Sequence, residues 1–292
     1  MIYALLGPTC SSKSDLAEKL SLYFNYPVIN FDAYQIYKEL NKGTAKPSKE
    51  LLDSNRYFLY DFVHINEDYD VAKYQMDGRK ILKKFSDDNV ILVGGTGLYL
   101  KALLYDYKFF EEEPMPHDFL NDKTNDELYD ELIKIDNDDA LKIGKNNRRR
   151  LLRALYIYKI HGKNKTSLNE NGKKTLLYKN IMFVGINPDR EVLYKNIEKR
   201  TNLMVKNGLE EEAKTLFKNY SSSLRALKAI GYNEFLKSNI IDEVIDMINL
   251  DTKHYAKRQL TFFKHQFDNV NWFNNIDDAF DFIRGKSYEN WW

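Results

Sequence analysis

A chain of 292 residues suits one large domain, or one domain inserted in another, and is long enough to bury a sizeable core. Lys and Arg number 44 against 43 Asp and Glu, a formal net charge of +1, so bulk charge points to no particular partner. The single cysteine, Cys10, excludes an intrachain disulfide and a cysteine-rich zinc module, and no run approaches the roughly 18 apolar residues of a membrane span; both features read as a cytoplasmic protein.

Residues 2–6 form a short apolar run of the kind a buried parallel strand needs. Gly7-Pro8-Thr9-Cys10-Ser11-Ser12-Lys13-Ser14 follows at once, and then an amphipathic stretch over 15–24. Strand, loop, Lys-Ser and helix is the setting in which a phosphate-binding loop has meaning. A helix N-terminus aims unpaired N–H groups and the positive end of its dipole at an anion. Lys13 adds a point charge, and the Ser14 hydroxyl suits Mg²⁺. Ser12 occupies the position that the GxxxxGK pattern gives to glycine, where a left-handed backbone would strain a serine. The bland alternative is a strand-to-helix turn with a chance Lys-Ser.

Residues 27–31 read as a second strand ending at Asp32, 71–85 as a helix, and 89–93 as a third strand closed by Gly94-Gly95-Thr96-Gly97. A further helix starts near Leu98. Strands alternating with helices imply a parallel sheet covered on both faces, with ligands beyond the carboxyl ends of the strands. The loop at 7–14, Asp32 and Thr96 then share one rim. Asp32 there is a metal-binding carboxylate, a general base, or the N-cap of the turn that follows. Thr96 is a hydroxyl for an oxygen-rich ligand or part of an ordinary turn.

Residues 111–116 make an acidic, proline-bearing break, 126–135 and 146–160 have helical periodicity, 162–174 reads as a polar loop and 180–186 as a strand. Residues 110–139 are strongly acidic and 141–175 strongly basic. A mutually neutralising helix pair and a polyanion-binding face are equally open readings. A long helix spans 190–206 behind Pro188, the chain stays mostly helical to 268, and a last strand (269–273) and helix (276–284) follow. The whole reads as an α/β fold. A P-loop NTPase-like parallel-sheet core (1–109 and 179–292) is interrupted by a helical, basic insertion (110–178) and has a largely helical C-terminal part.

Several segments are more specific than the loop. They are Asp32-Ala33-Tyr34-Gln35-Ile36-Tyr37, Gly43-Thr44-Ala45-Lys46-Pro47, Val93-Gly94-Gly95-Thr96-Gly97-Leu98-Tyr99, the basic run 146–155, Ala229-Ile230-Gly231-Tyr232, and Ala256-Lys257-Arg258-Gln259-Leu260-Thr261. With the opening loop, and in this order over nearly the whole chain, they resemble the tRNA dimethylallyltransferase (tRNA isopentenyltransferase) family, in its bacterial form without a zinc finger. The departures are Ser12, Ala33 where serine is common, and Gly144-Lys145 where His-Pro is usual.

The resemblance implies transfer of a dimethylallyl group from dimethylallyl diphosphate to N6 of the adenosine 3′-adjacent to the tRNA anticodon, with diphosphate released and Mg²⁺ as cofactor. It implies Asp32 as general base, Thr96 positioning either Asp32 or the diphosphate, and Lys13 and Arg200 as cations on the leaving group. Gly7, Thr9, Cys10, Ser11, Ser12, Lys13 and Ser14 would cradle the diphosphate, with the metal at Ser14. The target base must leave the anticodon-loop stack, so base flipping is implied. Implied tRNA contacts are Asp32, Ala33, Tyr34, Gln35 and Thr96 at the rim, and Arg149, Arg150 and Arg153 on the basic helix. Lys228, Gly231, Tyr232, Asn233, Lys257, Arg258, Gln259 and Lys264 complete them. The expected state is a monomer. Prenylation of free AMP or ADP, and tRNA binding with an impaired active site, are the alternatives. An ATP-dependent small-molecule kinase leaves the segments at 43–47 and 94–97 unexplained.

Overall fold

In the computed structural model, the described residues are 1–107, 109, 115–116, 118–164 and 175–289. The break expected at 111–116 and the loop expected at 162–174 fall largely outside them. Ile2–Leu6 (β1) is buried along its whole length, as a central parallel strand covered on both faces must be. It joins β2 (Val28–Asn30), β3 (Tyr57–Phe58), β4 (Val90–Val93), β5 (Ile181–Ile186) and β6 (Asn271–Phe273) in one sheet of order β3-β2-β4-β1-β5-β6. Every strand pairing described within this sheet is parallel: Ile2 lies opposite Val90 on one side and Ile181 on the other, and Val28 opposite Ile91.

The helices of the first half are α1 (Lys13–Phe24), α2 (Lys49–Leu52), α3 (Val71–Lys84) and α4 (Gly97–Leu104). Period two along the strands sends Tyr3, Leu5, Val28, Ile91, Val93, Val184 and Ile186 to one face, where Leu16 and Leu20 of α1 pack on them. Both leucines are fully buried, a contribution of about 2 kcal/mol each. α1 ends where Asn25 turns left-handed at φ 57, a common helix stop. α3 begins at Asp70, whose carboxylate accepts from the N–H groups of Ala72 and Lys73 at 2.9 Å.

Met1–Leu104 and Tyr178–Trp292 form one unit, and Tyr105–Leu177 a second. The second contains α5 (Asn125–Ile135), α6 (Asn137–Ile143) and α7 (Arg148–His161) around Leu128, Leu132, Ala140, Leu151, Leu152 and Leu155. Thr124 and Glu127 form a reciprocal capping box at the start of α5. Part of the charge asymmetry is used inside this unit. Lys145 pairs with Asp126 at 2.8 Å, Lys123 pairs with Glu131, and Arg148 donates to the carbonyls of Lys123 and Leu120 at 2.6 and 3.1 Å. Arg149, Arg150 and Arg153 are exposed.

The first unit continues with α8 (Arg190–Lys206), α9 (Leu209–Asn219), α10 (Ile241–Gln266) and α11 (Ile276–Glu289). α11 covers the same sheet face as α1, through Ala279, Phe280 and Ile283. The stretch expected to be helical up to 268 is interrupted. Residues 221–240 are turns and two short 3₁₀ pieces, Ala226–Lys228 and Asn233–Leu236, around Gly231 at φ 100. Among the described residues no helix is long and apolar enough to cross a membrane.

Candidate active site

The loops after β1, β2 and β4 carry the three rim motifs, and these strands are neighbours in the order β2-β4-β1. Parallel pairing therefore delivers all three loops to one edge of the sheet. In the first loop Cys10 and Ser12 both adopt left-handed backbone, φ 62 and 63, and the Ser12 side chain makes no capping bond to α1. Lys13, the first residue of α1, is buried and donates from Nζ to the carbonyl of Pro8 at 3.0 Å. Burial pushes its ammonium pKa down to about 8; Asp32 and Cys10 pull it back in part, and Arg200 adds to the lowering. The Ser14 side chain is exposed on the same turn. Ser11 is buried, and among the described residues its hydroxyl has no hydrogen-bond partner.

Two side chains of α8, one helical turn apart, meet this loop. Asn196 donates to the carbonyl of Cys10 at 3.2 Å. Arg200 donates from Nη1 to the Thr9 hydroxyl at 2.7 Å and lies 3.7 Å from the Cys10 sulfur. A residue far along the chain is thus a built-in neighbour of the loop.

Asp32 divides its two oxygens. Oδ1 accepts from the N–H groups of Tyr34 and Gln35 at 2.9 and 3.3 Å, the capping role that its position suggested. Oδ2 faces Gly95: a Cβ on Gly95 would come within 2.8 Å of it. Gly94 is equally constrained, since a Cβ there would lie 2.7 Å from the Asp32 nitrogen. The Thr96 hydroxyl accepts from the N–H of Ala33 at 2.9 Å, so Thr96 braces the turn that carries Asp32. Of the two positioning roles open for it, the structure contains the contact to the Asp32 turn.

Two adjoining cavities open at this rim. One, of about 440 Å³, is lined by Lys13, Ser14, Asp32, Lys199 and Arg200. The other, of about 280 Å³, is lined by Ile197, Met204, Ile230 and Ile248, with Tyr34, Lys228 and Arg258 among its polar groups. Thr9, Cys10, Asp32, Thr44, Arg200 and Tyr255 belong to both. A space lined by Lys13, Lys199 and Arg200 and one with an aliphatic wall therefore meet beside the Asp32 carboxylate. Burial, then the Asp32 charge, raises the Tyr255 phenol far above its ordinary value and keeps it a hydrogen-bond donor.

Several residues expected at the RNA surface are internal instead. Tyr232 is fully buried; its hydroxyl accepts from Gly43 N–H at 3.0 Å and donates to Glu212 at 2.6 Å. The same Glu212 oxygen accepts from the N–H groups of Asn41 and Lys42 at 3.1 and 2.8 Å, so it anchors the segment 41–45. Gly231 is buried, with its N–H on Glu234 at 2.8 Å. Gln259 is buried as well, and both ends of its amide are engaged inside the protein. Asn233 and Gln35 are half-buried, and the Gln35 amide donates to the carbonyls of Thr44 and Ala45 at 3.0 and 3.1 Å. Lys228, Lys257, Arg258 and Lys264 are exposed. Asn196, Lys199, Glu212 and Tyr255 escaped the sequence reading. The signal available for two of them was helical spacing: Asn196 lies four residues before Arg200, and Tyr255 four before Gln259.

The chain is similar to known proteins in sequence and in fold. A family model described as IPP transferase matches residues 35–266. The tRNA dimethylallyltransferase of Malacoplasma penetrans is 37% identical over 278 residues, 94% of this chain and 92% of that protein. That of Anoxybacillus flavithermus is 35% identical over 286 residues, 95% of this chain and 91% of the relative. Among solved structures, a tRNA delta(2)-isopentenylpyrophosphate transferase from Staphylococcus epidermidis superposes with a TM-score of 0.70 at 28% identity, covering 99% of each chain. A eukaryotic dimethylallyltransferase acting on tRNA gives a TM-score of 0.78 at 26% identity, over 90% of this chain and 69% of that one.

Proposed function

The chain belongs to the tRNA dimethylallyltransferase family, and on that premise we propose how its rim residues divide the reaction between them. The activity is transfer of a dimethylallyl group to N6 of the adenosine 3′-adjacent to the anticodon of tRNA, with diphosphate as the leaving group. The observation that carries the assignment is the junction of the two cavities at Asp32 and Arg200.

The diphosphate lies in the cation-lined cavity, against the loop 7–14 and the start of α1, with Lys13, Lys199 and Arg200 offsetting its charge. As the bond between the allylic carbon and the diphosphate oxygen breaks, negative charge grows on that oxygen, and these cations stabilise it. The second cavity accepts the dimethylallyl chain against Ile197, Met204, Ile230 and Ile248, and the flipped base beside its polar groups. N6 attacks the allylic carbon. Its lone pair is delocalised into the ring, so proton removal must accompany bond formation. Asp32 takes that proton on Oδ2, because Oδ1 is committed to the turn.

The proposal places a divalent cation, Mg²⁺, in the same cavity. Among the described residues no three His, Cys, Asp or Glu side chains converge on a metal position. The exposed Ser14 hydroxyl would hold the ion together with diphosphate oxygens and water, a set that suits a hard cation which keeps part of its hydration. Bound there, Mg²⁺ adds charge stabilisation to the departing diphosphate. Phosphates of the tRNA contact Arg149, Arg150 and Arg153 in the helical unit, and Lys228, Lys257, Arg258 and Lys264 in the other. The proposal includes a monomer acting in the cytoplasm. Its test is incubation with labelled dimethylallyl diphosphate and Mg²⁺, offering unmodified tRNA or free AMP. Label is expected on tRNA alone. Transfer to AMP and not tRNA, or tight tRNA binding without transfer, would overturn the reading.

A further inference from the structure

We propose that Gln259 is a positioning residue whose single amide ties the diphosphate-holding loop to the turn that carries Asp32, and so fixes the gap across which the dimethylallyl group moves. This rests on the assignment of that loop to the diphosphate and of Asp32 to the acceptor. The side chain, on α10, is only 5% exposed. Its Oε1 accepts from the N–H of Thr9 at 2.8 Å, and its Nε2 donates to the carbonyl of Gly95 at 2.8 Å.

Each end continues into the site. The Thr9 hydroxyl takes the hydrogen bond from Arg200. Gly95 precedes Thr96, whose hydroxyl accepts from Ala33 beside Asp32. One amide thus joins Arg200 and Thr9 on the donor side to Gly95, Thr96 and Ala33 on the acceptor side. The approach is close: a Cβ on Gly95 would lie 2.6 Å from Nε2 and 2.8 Å from Asp32 Oδ2, so amide and carboxylate pack against the same Cα.

The chemistry of the link is particular to an amide. It needs one acceptor and one donor at the end of a three-bond stem. Methionine keeps the length and supplies no N–H donor. Glutamate supplies the acceptor, and a donor only when protonated. A displacement of about 1 Å between reacting groups can cost on the order of 100-fold in rate, so a link of this kind acts on kcat.

The experiment compares full-length Gln259→Met and Gln259→Glu with the native protein, measuring kcat, both KM values, tRNA affinity and melting temperature. Asp32→Asn is run beside them. Gln259→Met is expected to lower kcat roughly 10- to 100-fold, with both KM values within about threefold of native. Gln259→Glu is expected to lose similarly at neutral pH and to recover, as a ratio to native, as pH falls toward the ordinary carboxyl range, because the protonated acid again donates to Gly95. A native kcat in Gln259→Met, or a loss confined to the KM for tRNA, would overturn the inference; the latter would make Gln259 an RNA contact. If Gln259→Met does not fold, a pH-independent ratio in Gln259→Glu overturns it instead. Transfer at native rate by Asp32→Asn would remove the underlying assignment. An inactive Asp32→Asn beside a native-like Gln259→Met would remove this inference alone.

Discussion

Replacing Lys13 with methionine is expected to stabilise the ligand-free protein while removing its grip on diphosphate. Lys13 is 8% exposed, and its Nζ donates to the Pro8 carbonyl at 3.0 Å. Burial lowers its pKa from 10.5 to about 8, despite the opposing pull of Asp32. The folded value lies below the unfolded one, so between about 8 and 10.5 the unfolded chain binds more protons and stability rises with pH. The cost of a buried charged lysine is therefore complete below about 8 and disappears above 10.5. At about 1.4 kcal/mol for each tenfold change in the proton equilibrium, that cost is about 3 kcal/mol. Losing the bond to Pro8 takes back about 1 kcal/mol, which leaves Lys13→Met ahead by about 2 kcal/mol at neutral pH. Urea unfolding of both proteins across the range from neutral to alkaline pH measures this directly. The advantage of the variant should be constant below about 8 and shrink above it. Added inorganic diphosphate should stabilise only the native protein. A variant that is less stable at neutral pH, or an advantage indifferent to pH, would refute the reasoning.

Three further outcomes are expected. Ser12→Gly relieves roughly 1 to 2 kcal/mol of left-handed backbone strain. It costs roughly 0.4 to 1 kcal/mol of unfolded-chain entropy. Thermal melts should thus show equal or slightly higher stability, with transfer equal or faster; a large loss of transfer would mean that the serine is built into the loop. Tyr232→Phe strips the acceptor from the buried Gly43 N–H and should cost roughly 1 to 3 kcal/mol in denaturant titration, with tRNA affinity unchanged. Native stability with weakened tRNA binding would return Tyr232 to the RNA surface. Replacing Arg149 and Arg150 by alanine should flatten the dependence of tRNA affinity on salt by roughly one in slope for each arginine, and an unchanged slope would remove them from the interface.

The strands that matter most were legible because they are almost wholly apolar, as strands buried on both faces are: β1 and β4 without exception and β2 but for Asn30. β3, two residues long, and α2, four residues long, carry no period to read. The meeting of the loop, Asp32 and Thr96 followed from a general property of parallel sheets. Orientation within a motif did not. Arg258 and Gln259 are neighbours in one segment, but a helix turns about 100° per residue, so one is exposed and the other is buried against the loop at 7–14. Lys228 and Tyr232 diverge for another reason: the chain turns between them, at Gly231 with φ 100. Glu212 belongs to no motif, and its role exists only because α9 folds back on residues 41–43. Cys10 and Ser12, without the freedom of glycine, still take the left-handed turn, which no propensity would suggest.

The central claim is that Asp32 takes the N6 proton on the oxygen that the turn leaves over. Asp32→Asn isolates it. Asparagine can still accept from Tyr34 and Gln35 through its carbonyl oxygen, which preserves the turn, while an amide in place of the other oxygen cannot act as a base. The measurement is the single-turnover rate of transfer from saturating dimethylallyl diphosphate to tRNA. A fall of roughly 100- to 10,000-fold with tRNA affinity close to native is the predicted result. A near-native rate would contradict the account.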